Sequence, residues 1–331
     1  MSENNCYRFG IPSKGRMESE TREFLRKSGF NLQRNGKEYI GKLIGFPDIQ
    51  IVFQRQEDII SGVKSGNLVF GICGLDLVKE NVFNDESVVI VHDNLGFGKC
   101  SLEIAVPEEW NINTISELKK KKSLRIASKF PNLTEEFMNQ YDVEYYLIKK
   151  AGTIEVAPAL DYADIIVDLV STGGTLRDNR LKRLEDGKIL SSQAVFIANR
   201  ISLQDENILS LTKTFLEFFE ASLRADKYYS VFVNMIGDCE KEIGIKLSKI
   251  GLLGLQGPTI SKVITNSTKN IFAIHIVVEK YNLPQTIISL RSIGGSGLVV
   301  SPALFIFEEE PELFKKLQNN LGMIPCLENM I

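Results

Sequence analysis

Histidine is scarce in this chain of 331 residues, which contains only His92 and His275. Metal sites of the HExxH type need two closely spaced histidines on one helix, so this pair excludes them. A serine–histidine–aspartate triad is a poor candidate as well, because only two residues could act as its base. His275 lies in the strand-like run IFAIHIVV, which favours a packed core histidine over a ligand.

The cysteines are odd in number, scattered along the chain and never paired as CxxC. This pattern argues against a disulfide framework and against a structural zinc site. The cysteines are Cys6, Cys73, Cys100, Cys239 and Cys326.

A surplus of basic residues is also missing, since 39 lysines and arginines face 42 aspartates and glutamates, for a net charge of −3. A general nucleic-acid binder needs a basic surface that displaces counterions, so we expect no nucleic-acid partner. No apolar run approaches the ~20 residues that span a bilayer. The start MSENNCYRF lacks the basic and apolar regions of a signal peptide, and we expect a cytoplasmic protein without a membrane partner.

The sequence does contain a regular alternation of strand-like and helix-like segments. Apolar β-forming runs such as CYRFGIP and NLVFGICG alternate with helical patterns such as EDIISGVKSG, which predicts a parallel sheet with helices on its faces. Glycines at 96 and 98 indicate a hinge, and a second series of strands and helices follows it, including a helix at EVAPAL. The last hundred or so residues follow the order β-α-β-β-α-β of a ferredoxin-like domain.

The segment IIVDLVSTGGTLRDN, residues 165–179, ends a strand-like run in a cluster of hydroxyls and glycines. Glycines let backbone amides approach an anion closely, and the helix start after them offers free N–H groups and the positive end of a dipole. With the hydroxyls of Ser171, Thr172 and Thr175, the segment suits a sugar phosphate, and Asp168 suits its ribose. It matches neither the Walker A nor the Rossmann glycine pattern. An ordinary strand-to-helix turn with an N-cap threonine would explain the same residues equally well.

The segment DLVSTGGTL resembles the phosphoribosyl-diphosphate loop of the ATP phosphoribosyltransferase family. Other segments are similar to further motifs of that family and occur in the family's order along nearly the whole chain. They are IPSKGRM, RQEDI, GICGLD, LGFGKCSLEIAVP, RIASKFPNL, AGTIEVAP, GPTISKV and RSIGGSGLVVSP. The last two make the chain similar to the long form of the family, which carries a C-terminal regulatory domain.

The resemblance implies an α/β fold with a two-lobed, periplasmic-binding-protein-like catalytic body and a C-terminal ferredoxin-like domain. The first lobe would be discontinuous, with residues 1–100 plus 192–226, and the second lobe would span residues 101–191 and carry the phosphoribosyl-diphosphate loop. Residues 227–331 would form the regulatory domain. The family forms dimers that assemble into hexamers, and the same homo-oligomer is expected here.

The implied reaction joins ATP and 5-phosphoribosyl diphosphate into 1-(5-phosphoribosyl)-ATP and releases pyrophosphate, with Mg²⁺ as cofactor. It is the first step of histidine biosynthesis. N1 of adenine is already a nucleophile, so the scarcity of histidine does not conflict with this chemistry. The candidate catalytic residues are Lys14, Arg16, Arg55, Glu155 and Asp168. The candidate substrate-binding residues are Asp76, Ser171, Thr172, Gly173, Gly174 and Thr175.

Each candidate has an implied role. Lys14 and Arg16 would reach a triphosphate or pyrophosphate, and Arg55 and Asp76, on loops of the first lobe, would complete the ATP side. Glu155 would contact the sugar or the nucleotide, while the five loop residues would hold the 5-phosphate of the ribose.

The resemblance also implies feedback inhibition by free histidine at the regulatory domain. The candidate residues for this allosteric site are Leu255, Gln256, Gly257, Pro258, Thr259 and Ala273. Three positions depart from the family's motifs, since Cys73, Ile60 and Gly257 stand where a threonine, a proline and a serine are expected. Gly257 falls at the inhibitor site, so it bears on histidine sensitivity rather than on catalysis. Taken by itself, the GPT segment is more simply a turn before a strand.

Two other classes of protein fit parts of this pattern. A two-lobed α/β body with a hinge is also typical of solute-binding proteins, which would trap an anion without reaction. Another phosphoribosyltransferase, such as a purine salvage enzyme, usually carries two adjacent acids before its phosphate loop. In this chain Asp168 is the single acid of the segment IIVDLV, with no second acid next to it. A salvage enzyme would also leave the C-terminal domain unexplained.

Overall fold

The computed structural model describes residues 6–36, 38–82, 85–149, 152–265 and 269–322. Ala151 of the motif AGTIEVAP and Cys326 lie outside these ranges. The described chain divides into two compact units, one with the residues up to Lys213 and those from Glu312 onward, the other with Thr214–Pro311. None of the described helices is long and apolar enough to cross a membrane.

The chain forms the following elements in order. The first are β1 (Tyr7–Pro12), α1 (Gly15–Lys27), β2 (Leu32–Gln33), β3 (Ile40–Leu43), β4 (Phe46–Gln54), α2 (Gln56–Lys64), β5 (Phe70–Gly74), α3 (Leu75–Asn81) and β6 (Val88–His92). Next come β7 (Cys100–Pro107), a 3-10 helix (Ser116–Lys120), β8 (Leu124–Ser128), α4 (Pro131–Met138), β9 (Tyr145–Lys149), β10 (Ile165–Val170), α5 (Gly174–Asp178), β11 (Leu181–Ser192) and β12 (Ala194–Asn199). The last are a 3-10 helix (Ser202–Gln204), α6 (Glu206–Ala225), β13 (Tyr228–Ile236), α7 (Glu240–Lys249), β14 (Thr259–Lys262), β15 (Ile271–Glu279), a 3-10 helix (Lys280–Asn282), α8 (Leu283–Ser292), β16 (Ser296–Pro302) and α9 (Glu312–Asn320).

The first unit contains two sheets, which we call the first and second lobes together with the helices packed on them. The first lobe is a seven-stranded sheet in the order β2-β3-β4-β1-β5-β12-β6, and the second is a five-stranded sheet in the order β11-β7-β10-β8-β9. The lobe boundaries expected from the sequence stay a prediction, because the unit division does not separate the lobes.

The expectation of a parallel sheet is wrong in part, because both sheets are mixed. In the first lobe β1 runs parallel to β4 and β5, whereas β12 runs antiparallel to β5 and β6. In the second lobe β8 is parallel to β9 and β10, whereas β7 is antiparallel to β10 and β11. The antiparallel pairs of β12 and of β7 join segments far apart in the sequence, which the local alternation of strand and helix does not reveal, and β2, β3 and β4 add local antiparallel pairs.

Three phenylalanines hold the returning strand β12 in the first lobe. Phe9, Phe70 and Phe196 come from β1, β5 and β12, and each is fully buried. Their ring centroids lie 5.4 to 5.8 Å apart in tilted and edge-on arrangements, within the range that favours aromatic pairs. Burying one such ring contributes about 1.5–3 kcal/mol, so this trio favours a strand order in which β12 lies next to β5.

The second lobe is buried on both faces of its sheet. One face, with Ile104 and Val167, packs against α4 through Leu133. The other face, with Ala105 and Ile166, packs against Leu176 of α5. This alternation along β10 leaves Asp168 on the α5 face, close to the carboxyl end of the strand.

The predicted helix at EVAPAL is wrong, because residues 155–160 form turns. Ala157 N–H donates to Ile154 O at 3.0 Å, and Leu160 N–H donates to Val156 O at 3.1 Å. Pro158 has no N–H and cannot extend these bonds into a helical ladder.

The second unit has the predicted ferredoxin-like order of elements. Its sheet runs β14-β15-β13-β16, and every neighbouring pair is antiparallel. Ile243 of α7 and Leu290 of α8 are fully buried against Val231 and Ile274 of the sheet. The fold class expected from the sequence is thereby confirmed for this unit.

Candidate active site

The loop after β10 has the conformation that its glycines allow. Ser171 and Thr172 are exposed, and Gly173 has a φ of 74°, in the left-handed region that disfavours side chains. Gly173 is the N-cap of α5, so the free amides of that short helix start inside the loop. A Cβ placed on Gly174 would meet nothing closer than Thr172 Oγ1 at 3.8 Å, so no protein contact demands a glycine there.

This loop lines a small cavity of about 90 Å³ that is open to solvent. Roughly 10–15 Å³ of such space holds one water molecule, so this cavity can take a larger polar group such as a phosphate. Seven of the predicted site residues line it together: Glu155, Asp168, Ser171, Thr172, Gly173, Gly174 and Thr175. The structure therefore brings together an anion-sized space, backbone amides, hydroxyls and two carboxylates.

Asp168 lies in the wall of this cavity and is largely buried. Its side chain is 15% exposed, Leu169 N–H donates to its Oδ1 at 2.8 Å, and Lys129 Nζ lies 3.8 Å from the same oxygen. Burial raises the pKa of Asp168, the charge of Lys129 opposes this rise, and the charge of Glu155 adds to it. Glu155 Oε2 is itself buried and has no hydrogen-bond partner among the described residues.

Lys14 and Arg16 lie in the first lobe, at the carboxyl end of β1. Lys14 is the extended N-cap of α1, and Gly15 after it has a φ of 73°. Arg16 is 61% exposed, and its Nε lies 2.8 Å from Glu20 Oε1. Neither cation lines the cavity of the phosphate loop.

Arg55 and Asp76 were both expected on loops, and this is wrong for Asp76. Arg55 is the exposed N-cap of α2. Asp76 lies in the first turn of α3 and is only 4% exposed. Its carboxylate accepts a hydrogen bond from Ser192 Oγ, which in turn accepts from Asp76 N–H at 3.0 Å. Burial raises the pKa of Asp76, and the bond from Ser192 opposes the rise.

Three charged groups beside the loop were missed by the sequence reasoning, namely Lys129, Glu103 and Arg183. Lys129 follows β8, and Glu103 of β7 lies opposite Asp168 in the strand register. Glu103 is 7% exposed, contacts Arg183 at 3.4 Å and accepts a hydrogen bond from Ser101 Oγ. A single acid within the apolar run SLEIAVP was the available signal for Glu103.

The predicted histidine-binding residues are spread over one edge of the second unit. Leu255 lines a cavity of about 380 Å³ beside α8, and of the six predicted residues only Leu255 does so. Thr259 pairs with His275, and Ala273 pairs with Ser261, both in the sheet. Gly257 has a φ of 104°, which a serine at this position would adopt only under strain.

The described ranges contain no group of three or more His, Cys, Asp or Glu side chains that could hold a metal ion. The loop cavity has two carboxylates in its wall, those of Glu155 and Asp168. Carboxylate oxygens are ligands that Mg²⁺ accepts, usually with water and substrate phosphates supplying the remainder.

Comparison with known proteins gives a consistent result. The family model described as ATP phosphoribosyltransferase matches residues 55–217, and the model described as HisG, C-terminal domain, matches residues 225–303. The chain is 38% identical to ATP phosphoribosyltransferase 1, chloroplastic, of Arabidopsis thaliana, over 97% of this chain and 82% of the relative. It is 33% identical to the ATP phosphoribosyltransferase of Methanocaldococcus jannaschii, over 89% of this chain and 97% of the relative. A solved structure described as an ATP phosphoribosyl transferase (HisG:HisZ) complex from Thermotoga maritima matches with a TM-score of 0.53 and 25% identity, over 65% of this chain and 98% of that one.

Proposed function

This chain belongs to the ATP phosphoribosyltransferase family, and we propose that its reaction takes place at the loop of residues 171–175. The enzyme catalyses the first step of histidine biosynthesis, the transfer of a phosphoribosyl group to ATP. The observation that carries the proposed location is the anion-sized cavity formed by the loop, with Asp168 and Glu155 at its wall.

In this reaction N1 of ATP attacks C1 of the ribose while the bond from C1 to the pyrophosphate oxygen breaks. Positive charge develops on the ribose ring, and negative charge develops on the leaving pyrophosphate. Because the nucleophile needs no activating base, catalysis depends on positioning and on stabilising these charges.

The loop amides and hydroxyls hold the 5-phosphate, each charge-assisted hydrogen bond contributing about 1.5–3 kcal/mol. Asp168 accepts hydrogen bonds from the ribose hydroxyls, and the charge of Lys129 lowers the pKa of this carboxyl while burial raises it. Glu155, whose buried Oε2 lacks a protein partner among the described residues, contacts the sugar or the nucleotide.

The cations of the first lobe meet the phosphates of the other substrate. Lys14 and Arg16 bind the triphosphate or the departing pyrophosphate, and the guanidinium of Arg16 can bind two oxygens at once. Arg55 and Asp76 complete the ATP side. Asp76 is buried, so its contribution comes through the position of α3 more than through an exposed carboxylate.

A divalent metal is consistent with the family, and we propose Mg²⁺. The substrates would supply most of its ligands, because the described residues form no cluster of three or more candidate ligands. The ion would neutralise the charge of the pyrophosphate.

Histidine is the proposed inhibitor, bound at the second unit near Leu255, Gln256, Gly257, Pro258, Thr259 and Ala273. Inhibition requires that histidine bind a less active state more tightly than the active one. We propose a homo-oligomer, dimers that form hexamers, as the assembly in which this occurs, because the resemblance to the family implies it. The cytoplasmic location stays a prediction.

Pyrophosphate release from the purified protein tests these proposals. The assay contains ATP, 5-phosphoribosyl diphosphate and Mg²⁺, with and without free histidine. We expect release that needs both substrates and falls when histidine is added. Release that is unaffected by histidine would contradict the regulatory proposal alone. No release from folded, assembled protein would contradict the catalytic proposal and favour a binding protein.

A further inference from the structure

Helix α3 of the first lobe is attached to the second lobe through the buried side chain of Glu80. Glu80 is 6% exposed, and its two carboxylate oxygens accept from the backbone N–H groups of Asn132 and Leu133, each at 3.0 Å. The Nδ2 of Asn132 also donates to the carbonyl oxygen of Glu80 at 2.9 Å. Three hydrogen bonds therefore connect α3 to the first turn of α4.

The start of α4 depends on this distant carboxylate because it carries no side-chain cap of its own. Its N-cap is Phe130, which has no oxygen to accept a hydrogen bond, and Pro131 after it has no N–H. The next two N–H groups, those of Asn132 and Leu133, have no partner within the helix. Glu80 satisfies both, and its negative charge lies at the positive end of the helix dipole.

The helix that Glu80 caps is joined directly to the candidate active site. Phe130 follows Lys129, whose Nζ lies 3.8 Å from Asp168 Oδ1. The bonds of Glu80 therefore attach the first lobe to the part of the second lobe that carries the candidate active site. At the other end of α3, Asp76 bonds Ser192, the last residue of β11 in the second lobe.

We propose that Glu80 is a positioning residue, which holds the two lobes at the angle at which ATP on the first and the phosphoribosyl group on the second can react. The proposal rests on the placement of the substrates given above. Glu80 touches neither substrate, and it acts by holding α4 of the second lobe to α3 of the first. It follows that Glu80 affects the reaction between the two substrates and not the binding of one substrate to its own lobe.

The substitution Glu80→Gln tests this role with little change in volume. The amide nitrogen of glutamine cannot accept a hydrogen bond, so one of the two backbone bonds and the negative charge are lost. Glu117→Gln is the matched control, because Glu117 Oε2 accepts from the backbone N–H groups of Asn113 and Thr114, at 2.8 and 3.3 Å, within the second lobe. Each variant replaces a carboxylate that accepts hydrogen bonds from two backbone N–H groups. Of these two carboxylates, only that of Glu80 connects the lobes.

For Glu80→Gln we expect kcat/KM for pyrophosphate release to fall by about 10- to 100-fold, the range that follows from losing one charge-assisted hydrogen bond. The Kd of 5-phosphoribosyl diphosphate for the enzyme without ATP, measured by titration calorimetry, should change less than about twofold. Glu117→Gln should leave kcat/KM unchanged.

Equal kinetics for the two variants would overturn the proposal, and so would an equal loss of kcat/KM and of 5-phosphoribosyl diphosphate affinity in Glu80→Gln. Glu80→Asp keeps the charge but shortens its reach, so it should give an intermediate kcat/KM. It replaces Glu80→Gln in the same comparison if the glutamine variant does not fold. Inactive wild-type protein would overturn the substrate placement and this inference together.

Discussion

A methyl group added at Gly174 should separate the stability of the phosphate loop from its ability to bind. The φ of Gly174 lies outside the left-handed region, and its Cβ would have 3.8 Å to the nearest protein atom, so Gly174→Ala introduces neither strain nor a clash. At a compatible position such a change stabilises a protein by about 0.4–1 kcal/mol, mainly by restricting the unfolded chain. The free energy of unfolding should therefore stay equal or rise.

The same methyl group points into space that the proposed phosphate needs. If it displaces the phosphate from one loop amide, about 1.5–3 kcal/mol of binding is lost. The KM for 5-phosphoribosyl diphosphate should then rise by about 10- to 100-fold, since ~1.4 kcal/mol corresponds to a factor of ten. The KM for ATP should change far less, because ATP is placed on the other lobe.

Gly173→Ala is the matched control, because Gly173 has a φ of 74°. A side chain in this conformation costs about 1–2 kcal/mol. In Gly173→Ala the free energy of unfolding should therefore fall, in addition to any rise of the KM for 5-phosphoribosyl diphosphate. Urea titrations give the two unfolding free energies, and pyrophosphate release gives the two KM values. A normal KM for 5-phosphoribosyl diphosphate in Gly174→Ala would refute the close approach of the phosphate to this loop.

Two further outcomes are expected. Arg16→Ala should lower the rate of pyrophosphate release by about 10- to 1000-fold, because it removes a positioned charge that stabilises the transition state by a few kcal/mol. The Tm should change little, since the Arg16 side chain is 61% exposed. Full activity of this variant would contradict the placement of Arg16 at the phosphates. Burial lowers the pKa of His92 from 6.5 to about 4, and its Nδ1 accepts from Asn94 N–H at 3.1 Å. Between these pH values the unfolded chain binds a proton that the folded protein does not, so the free energy of unfolding should decrease as pH falls through this window, by up to roughly 3 kcal/mol. Urea titrations between pH 7 and 4 should show a flatter dependence in His92→Gln, and equal slopes would contradict the buried neutral state.

The phosphate loop could be predicted from the sequence because its chemistry is local. The strand β10, the left-handed Gly173 and the start of α5 all follow from neighbouring residues. By contrast, β11 was missed, although it is twelve residues long. Its segment LKRLEDGKILSS is rich in charge and contains a register shift between Arg183 and Lys188, so pairing with β7 stabilises this strand more than its own apolar pattern does.

The two buried acids of α3 show where local reasoning ends. Asp76 and Glu80 are four residues apart, so they share one face of the helix, and a face with two acids is typical of a solvated surface. Both are nevertheless buried, because each meets donors that lie far away in the sequence, Ser192 for Asp76 and the amides of α4 for Glu80. A buried carboxylate is stable only where such donors reach it. The start FPNL of α4, with phenylalanine at the N-cap and proline after it, has no side-chain acceptor at its N-cap, and Glu80 supplies one from another part of the chain.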